Sequence, residues 1–187
     1  MTIAQIVRLI AFACLSAWLV FVSRKSLREP RSHGFYRFLA WECILGLFLL
    51  NVDRWFRDPF SGWQLVSWLL LIVSGWLVLH AVFTLRKYGQ PDQAREEAGL
   101  IAFEKTTRLV TQGAYRYIRH PMYSSLLLLA WGIFCKDPGW VSGMLSAAAT
   151  GWLIATARAD EAESMGYFGV AYLEYKKHTR MFIPFLF

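Results

Sequence analysis

Apolar residues fall in blocks along this chain, and the blocks have the length of helices that cross a bilayer. Four run over approximately 2–22, 35–52, 63–84 and 139–157, near the roughly 20 residues that a hydrocarbon core of about 30 Å requires. A shorter block, 121–134, holds fourteen residues, or about 21 Å of helix. It is expected to form a short helical hairpin with the block after it, across the tight turn Lys136-Asp137-Pro138-Gly139. The stretch 85–120 is too charged to span, and 158–187 begins polar and closes on the apolar tail Met181–Phe187. The first block has neither a basic leader nor an Ala-x-Ala-like cleavage site, so it reads as a retained helix rather than a signal peptide. The fold class expected is all-α: a single polytopic membrane domain over 1–187 with about five transmembrane helices. Asp160, Glu161 and Glu163 are expected to open a separate cytosolic helix in the C-terminal segment.

Composition supports the membrane reading. Hydrophobic residues make up 56% of the 187, above the roughly 45–50% of soluble domains. A net charge of +7 in a soluble protein would point to nucleic acid; here the basic residues lie between apolar blocks, where they orient the chain and face lipid headgroups, so nucleic acid is not an expected partner. Five of them lie at the first loop and the start of the second block, seven in the 85–120 loop and four after 157, against Arg54, Arg57 and Lys136 at the opposite end and Arg8 inside the first block. The positive-inside rule then puts the N-terminus outside and the 85–120 loop and C-terminus in the cytosol. Cys14, Cys43 and Cys135 are odd in number and scattered, which fits neither a disulfide framework nor a metal site; they are expected to be buried thiols, and no metal is expected. Gly139, Gly143, Ala147, Gly151, Ala155 and Ala159 recur every fourth residue, a stripe expected to seat a neighbouring helix closely.

Two polar constellations carry candidate chemistry. The run Gly113-Ala-Tyr115-Arg-Tyr-Ile-Arg119-His120-Pro121-Met-Tyr123 enters the fourth block directly, with Pro121 suited to a first helical turn. By composition it reads equally as interfacial anchoring, since Tyr and Arg decorate helix ends. The second follows the last block: Arg158, Asp160, Glu161 and Glu163, then Phe168-Gly169, Tyr172, Tyr175, Arg180 and Pro184. Inside the blocks, Glu42 and His80 stand out, because an ionisable group at membrane depth is expensive. Each also reads as a structural hydrogen-bonding group.

The order Leu109-Val110-Thr111-x-Gly113-x-Tyr115-Arg116-x-x-Arg119-His120-Pro121-x-Tyr123, followed by Asp160-Glu161, Phe168-Gly169, Tyr172, Tyr175, Arg180 and Pro184, resembles the isoprenylcysteine carboxyl methyltransferases and their phospholipid methyltransferase relatives. The likeness covers about 88–184; an Arg usual four residues before the acidic pair stands here only two before it, as Arg158. The resemblance implies S-adenosylmethionine as cofactor, S-adenosylhomocysteine as product and a cofactor pocket on the cytosolic side. It implies that His120, Pro121, Tyr123 and Glu161 line that pocket with Tyr115 and Asp160 nearby, and that Arg119 faces the reacting group. By their chemistry Arg119 or Arg180 is the candidate to orient a carboxylate acceptor, and Glu161 or Glu42 to take the proton of an amine. The acceptor implied is lipid-like: the carboxylate of a prenylated cysteine or similar, or a phospholipid amine. The alternatives are a membrane reductase of related helical architecture using a nicotinamide cofactor, and a non-catalytic helical scaffold or transporter. Neither the acceptor nor the oligomeric state is read from the sequence.

Overall fold

The computed structural model describes residues 2–90 and 104–184; Arg95 and the last three residues of the apolar tail lie outside them. Within these bounds the chain is helical, with one isolated bridge and no strand. Helix α1 is Ile3–Leu27, α2 His33–Asn51, α3 Gly62–Tyr88, α4 Pro121–Phe134, α5 Trp140–Phe168 and α6 Val170–His178. The starts follow local chemistry. Thr2 and Gln5 form a capping box on α1, Ser32 and Ser61 cap α2 and α3 through their hydroxyls, and Pro121 occupies the first turn of α4. Four helices are long and apolar enough to cross a membrane, and α4 is a shorter apolar helix. The architecture is thus an all-α polytopic membrane fold.

α5 lies against α2 and α3 against α4, while α1 packs chiefly on α2 and leaves most of its surface open. In lipid, helices are joined less by apolar burial than by close contact and hydrogen bonds, and such bonds are placed along the bundle. Ser67 and Ser74 of α3 donate to the carbonyls of Gly132 and Ser125, both at 2.7 Å. Asn51 donates to the Ile133 carbonyl at 3.0 Å and accepts from Ser142 at 3.3 Å. Glu42 takes the Ser16 hydroxyl at 2.9 Å, so the carboxylate within the second span ties α1 to α2. At the end away from the C-terminus, Lys136 sits over the Trp68 ring at 3.4 Å and bonds Gln64 Oε1 at 2.9 Å.

Three expectations are corrected. The chain from Trp140 continues as one helix through Asp160 and Glu161 to Phe168, so the acidic pair stands deep in α5 rather than in the first turn of a new helix. Nothing between Trp152 and Met165 breaks a helix, and the break comes at Gly169, in a conformation (φ 57°, ψ −130°) reserved for glycine. The small-residue stripe of α5 is not a continuous packing seam among the described residues, although a Cβ at Gly143 would stand 3.7 Å from the Phe134 ring of α4. Gly139 and Gly151 have no atom near a built Cβ, and the face that packs is Ser142, Ser146, Ala149, Leu153, Thr156 and Ala157. The thiols also differ: Cys135 is buried, Cys43 is intermediate and Cys14 lies exposed on α1.

Candidate active site

α5 is about 43 Å long by its 29 residues and outruns the ~30 Å hydrocarbon core. Its last turns therefore carry Asp160, Glu161 and Glu163 towards the membrane surface, beside the loop that leads into α4. Gly113 (φ 60°) lets this loop lie on α3, because a Cβ there would stand 2.7 Å from His80 Nε2. Past Gly169, α6 turns back beneath the loop, and the chain after it pairs with the motif residues. Arg180 N–H donates to the Tyr117 carbonyl at 3.0 Å, Arg119 N–H to the Arg180 carbonyl at 2.7 Å and His120 N–H to the Met181 carbonyl at 3.2 Å. Tyr175 Oη donates to the Tyr115 carbonyl at 2.6 Å, and Ser124 Oγ to that of Phe182 at 2.9 Å. The two constellations, some forty residues apart in sequence, are one backbone-joined unit.

Between them is a cleft. Its walls include Tyr115, Arg119, His120, Pro121, Tyr123 and Asp160, all of them among the residues picked out from sequence. The imidazole of His120 is buried and stacks on Tyr123, with centroids 5.4 Å apart. Its Nδ1 faces Asp160 Oδ2 and its Nε2 faces Glu161 Oε1, each at 3.4 Å; Nε2 has no hydrogen-bond partner among the described residues. Burial works against the imidazolium, but the two carboxylates outweigh it and hold His120 above the ordinary histidine pKa of 6.5. Burial pushes the phenol of Tyr115 well above its usual value and likewise raises Tyr172, so both are neutral hydroxyls.

The acidic pair divides its labour. Asp160 stands on the cleft wall, whereas Glu161 is set behind it and is held by cations. Arg119 Nε meets Glu161 Oε1 at 2.6 Å, and Lys176 Nζ pairs with Oε2. The Arg119 fork also donates to the carbonyl of Thr179 and, at 3.5 Å, to that of Lys176. Arg119 therefore fastens α5 to the end of α6. Arg180 contributes its backbone to the pairing, while its side chain is exposed outside the cleft.

Several site residues escaped sequence reasoning. Glu104 lines the cleft, and its two oxygens accept from Arg37 Nη1 at 3.0 and 2.9 Å, in a pair whose side chains are 9% and 14% exposed. His33, one turn earlier on α2, donates its N–H to Glu163 at 3.0 Å and pairs with it through Nδ1. His33 and Arg37 are four apart on one face of α2, a spacing visible in the sequence, but their acidic partners come from distant segments. Ser164 and Phe168 complete the wall one and two turns beyond Asp160.

Fold and site define an all-α polytopic membrane protein with a polar, aromatic cleft closed by its C-terminal segment. The chain belongs to the phospholipid methyltransferase family, whose model matches residues 63–168. It is 26% identical over 150 residues to methanethiol S-methyltransferase 2 of Bradyrhizobium diazoefficiens, a match covering 75% of this chain and 56% of the relative. It is 28% identical over 105 residues to Nurim of Xenopus laevis, covering 52% of this chain and 35% of that one. The chain thus matches between about a third and just over half of the length of these curated relatives. No solved structure matches it significantly.

Proposed function

We propose that the protein transfers a methyl group from S-adenosylmethionine to a lipophilic acceptor, in the cleft and at the cytosolic membrane face. The observation that carries the reading is the joining of the Arg119-His120-Pro121 segment to the Asp160-Glu161 turn of α5 around one cleft. The wall chemistry fits the donor. Asp160 offers a carboxylate to a cationic group, Tyr115, Tyr172 and Phe168 offer flat surfaces to a purine, and the neutral phenols offer hydrogen bonds. The donor, when bound, supplies an activated methyl carbon that needs no further acid or metal from the protein.

What the chain supplies is position and exclusion of water, worth roughly 7–11 kcal/mol when reacting groups are well aligned. Tyr123 and His120, stacked at the head of α4, set the floor. Arg119 and Glu161 act as positioning residues that keep α6 and the loop closed over it. A carboxylate acceptor brings no proton to dispose of. A thiol or amine acceptor does, and Asp160 is the cleft carboxylate for it, since both Glu104 oxygens are taken by Arg37 and Glu161 is taken by Arg119 and Lys176. Glu42, bonded to Ser16 at the α1–α2 contact, is a helix tie in this reading. The name of the bacterial relative adds thiols to the carboxylates and amines as acceptor classes. An apolar acceptor reaches the cleft from the bilayer without crossing water.

Calorimetric titration of the detergent-purified protein with S-adenosylmethionine and S-adenosylhomocysteine tests the donor, with a nicotinamide dinucleotide as control. Saturable binding of the sulfur compounds alone is expected. Absence of binding by folded protein, repeated in lipid nanodiscs, would overturn the reading.

A further inference from the structure

A second cleft lies on the opposite side of the 113–118 loop and shares no lining residue with the first. Its back is α3, with Trp76, Leu77 and His80; its other wall is the loop, with Arg116, Tyr117 and Ile118. The residues alternate about the loop: Tyr115 turns into the first cleft, and Arg116 and Tyr117 into the second.

The chemistry of this second cleft is that of an anion site beside an apolar surface. His80 Nε2 accepts the Ala114 N–H at 3.2 Å, so the ring proton is carried on Nδ1. Nδ1 has no hydrogen-bond partner among the described residues, and the ring is held in place by stacking on Trp76, 5.3 Å and 7° from parallel. Arg116 is exposed and has no ion-pair partner among the described residues; its one contact of note is the Tyr117 ring at 5.9 Å. The cleft is thus lined by an imidazole whose Nδ1–H is unpaired and by a guanidinium, with no acid among the described residues to answer them. Below it the outward face of α3 is bare and apolar, with Ile72, Trp76 and Leu79 each more than 60% exposed. With 27 residues, α3 is about 40 Å long and outruns the hydrocarbon core of about 30 Å. Its last turn, with Arg86 and Lys87, therefore reaches the headgroup layer, and His80 and the loop sit just beneath.

We propose that this cleft binds the anionic headgroup of a membrane phospholipid, its phosphate between Arg116 and His80 and one acyl chain along Trp76 and Leu79. The exposed apolar face selects a lipid over a soluble phosphate, because a free anion would leave Trp76 and Leu79 uncovered. The lipid is not the methyl acceptor, since the loop stands between it and the first cleft. It braces the back of the loop that carries Tyr115. The inference holds whether or not the first cleft binds a methyl donor, and its test does not use that donor.

Native mass spectrometry of the protein with equimolar phosphatidylglycerol and phosphatidylcholine of the same acyl chains tests it. One phosphatidylglycerol is expected to be retained in preference, and Arg116→Gln is expected to lower that retention about fivefold, the effect of one Arg beside an anionic headgroup. Arg28→Gln, which removes an equally exposed charge at the end of α1, is expected to leave it unchanged. Equal retention of the two lipids, equal loss in both variants, or displacement of the bound lipid by millimolar inorganic phosphate would each overturn the proposal.

Discussion

Asp160 and Glu161 are neighbours in sequence with opposite surroundings, and substitution should separate them. Asp160→Asn removes the cleft carboxylate while keeping its shape, and a charge-assisted contact is worth roughly 1.5–3 kcal/mol. The expected result is a loss of S-adenosylmethionine affinity of tenfold or more by calorimetry, with a melting temperature lowered only by the lost pairing to His120, whose Nδ1 faces Asp160 at 3.4 Å. Glu161→Gln instead strips the counter-charge from Arg119, in a pair whose side chains are 8% and 6% exposed. Breaking a buried pair from one side costs roughly 3–5 kcal/mol, so this variant should melt markedly lower. An Asp160 variant that melts early while binding the donor normally would reverse the assignment. His120 adds a pH dependence. Because its pKa is raised in the folded state, its charged form contributes stability that is fully present below 6.5, the ordinary value, and is lost as pH rises through the raised one. The melting-temperature gap between the wild type and His120→Gln should therefore be widest in mildly acidic buffer and narrow on the alkaline side. A gap that widens with pH would mean that the imidazole is neutral in the fold.

At the scale of elements, the ends of α5 decide what the sequence can reveal. Its apolar stretch, like those of α1 to α4, is legible from block length alone, and the fourth block coincides with α4 residue for residue. The continuation through Arg158 to Phe168 is not, because charge masks it: hydropathy reports where a helix leaves the apolar layer, not where it stops turning. The stop is a backbone matter. Gly169 adopts φ 57° and ψ −130°, and a Cβ built there meets nothing, so Gly169→Ala should carry a purely conformational penalty of about 1–3 kcal/mol. Gly166→Ala, three residues earlier in the same exposed helix end, also meets nothing, but there the change favours helix by up to about 1 kcal/mol. Thermal melts of the two variants should move in opposite directions. The same limit explains the candidate site. Motif order brought out Tyr115, His120, Pro121, Tyr123 and Asp160, whereas Glu104 and its partner Arg37 are 67 residues apart and only the packing of α2 joins them. The stripe of Gly and Ala on α5 misled because spacing defines a face without saying which neighbour, if any, it meets.

Across the whole molecule, charge is distributed so that one end is neutralised and the other is not. At the end that holds the α2–α3 and α4–α5 turns, Arg8 pairs with Asp53, Arg54 with Asp137 at 3.2 Å and Arg57 with Asp58 at 3.8 Å, and Lys136 is buried among Trp rings and Gln64. Fifteen of the nineteen described Lys and Arg belong to the other end, where Arg28, Arg116, Arg158 and Arg180 are all exposed. Unpaired basic residues resist translocation and favour an anionic leaflet, so the cleft-bearing end should face the cytosol. Cysteine labelling reads this directly. In a background without the three native cysteines, Phe60→Cys and Glu174→Cys place a thiol on exposed positions at opposite ends, neither of them a cleft-lining residue. A membrane-impermeant maleimide should label Phe60→Cys in intact cells and Glu174→Cys only after permeabilisation. The reverse pattern would put the cleft outside, away from any cytosolic supply of S-adenosylmethionine, and would argue against methyl transfer more strongly than the loss of any one residue.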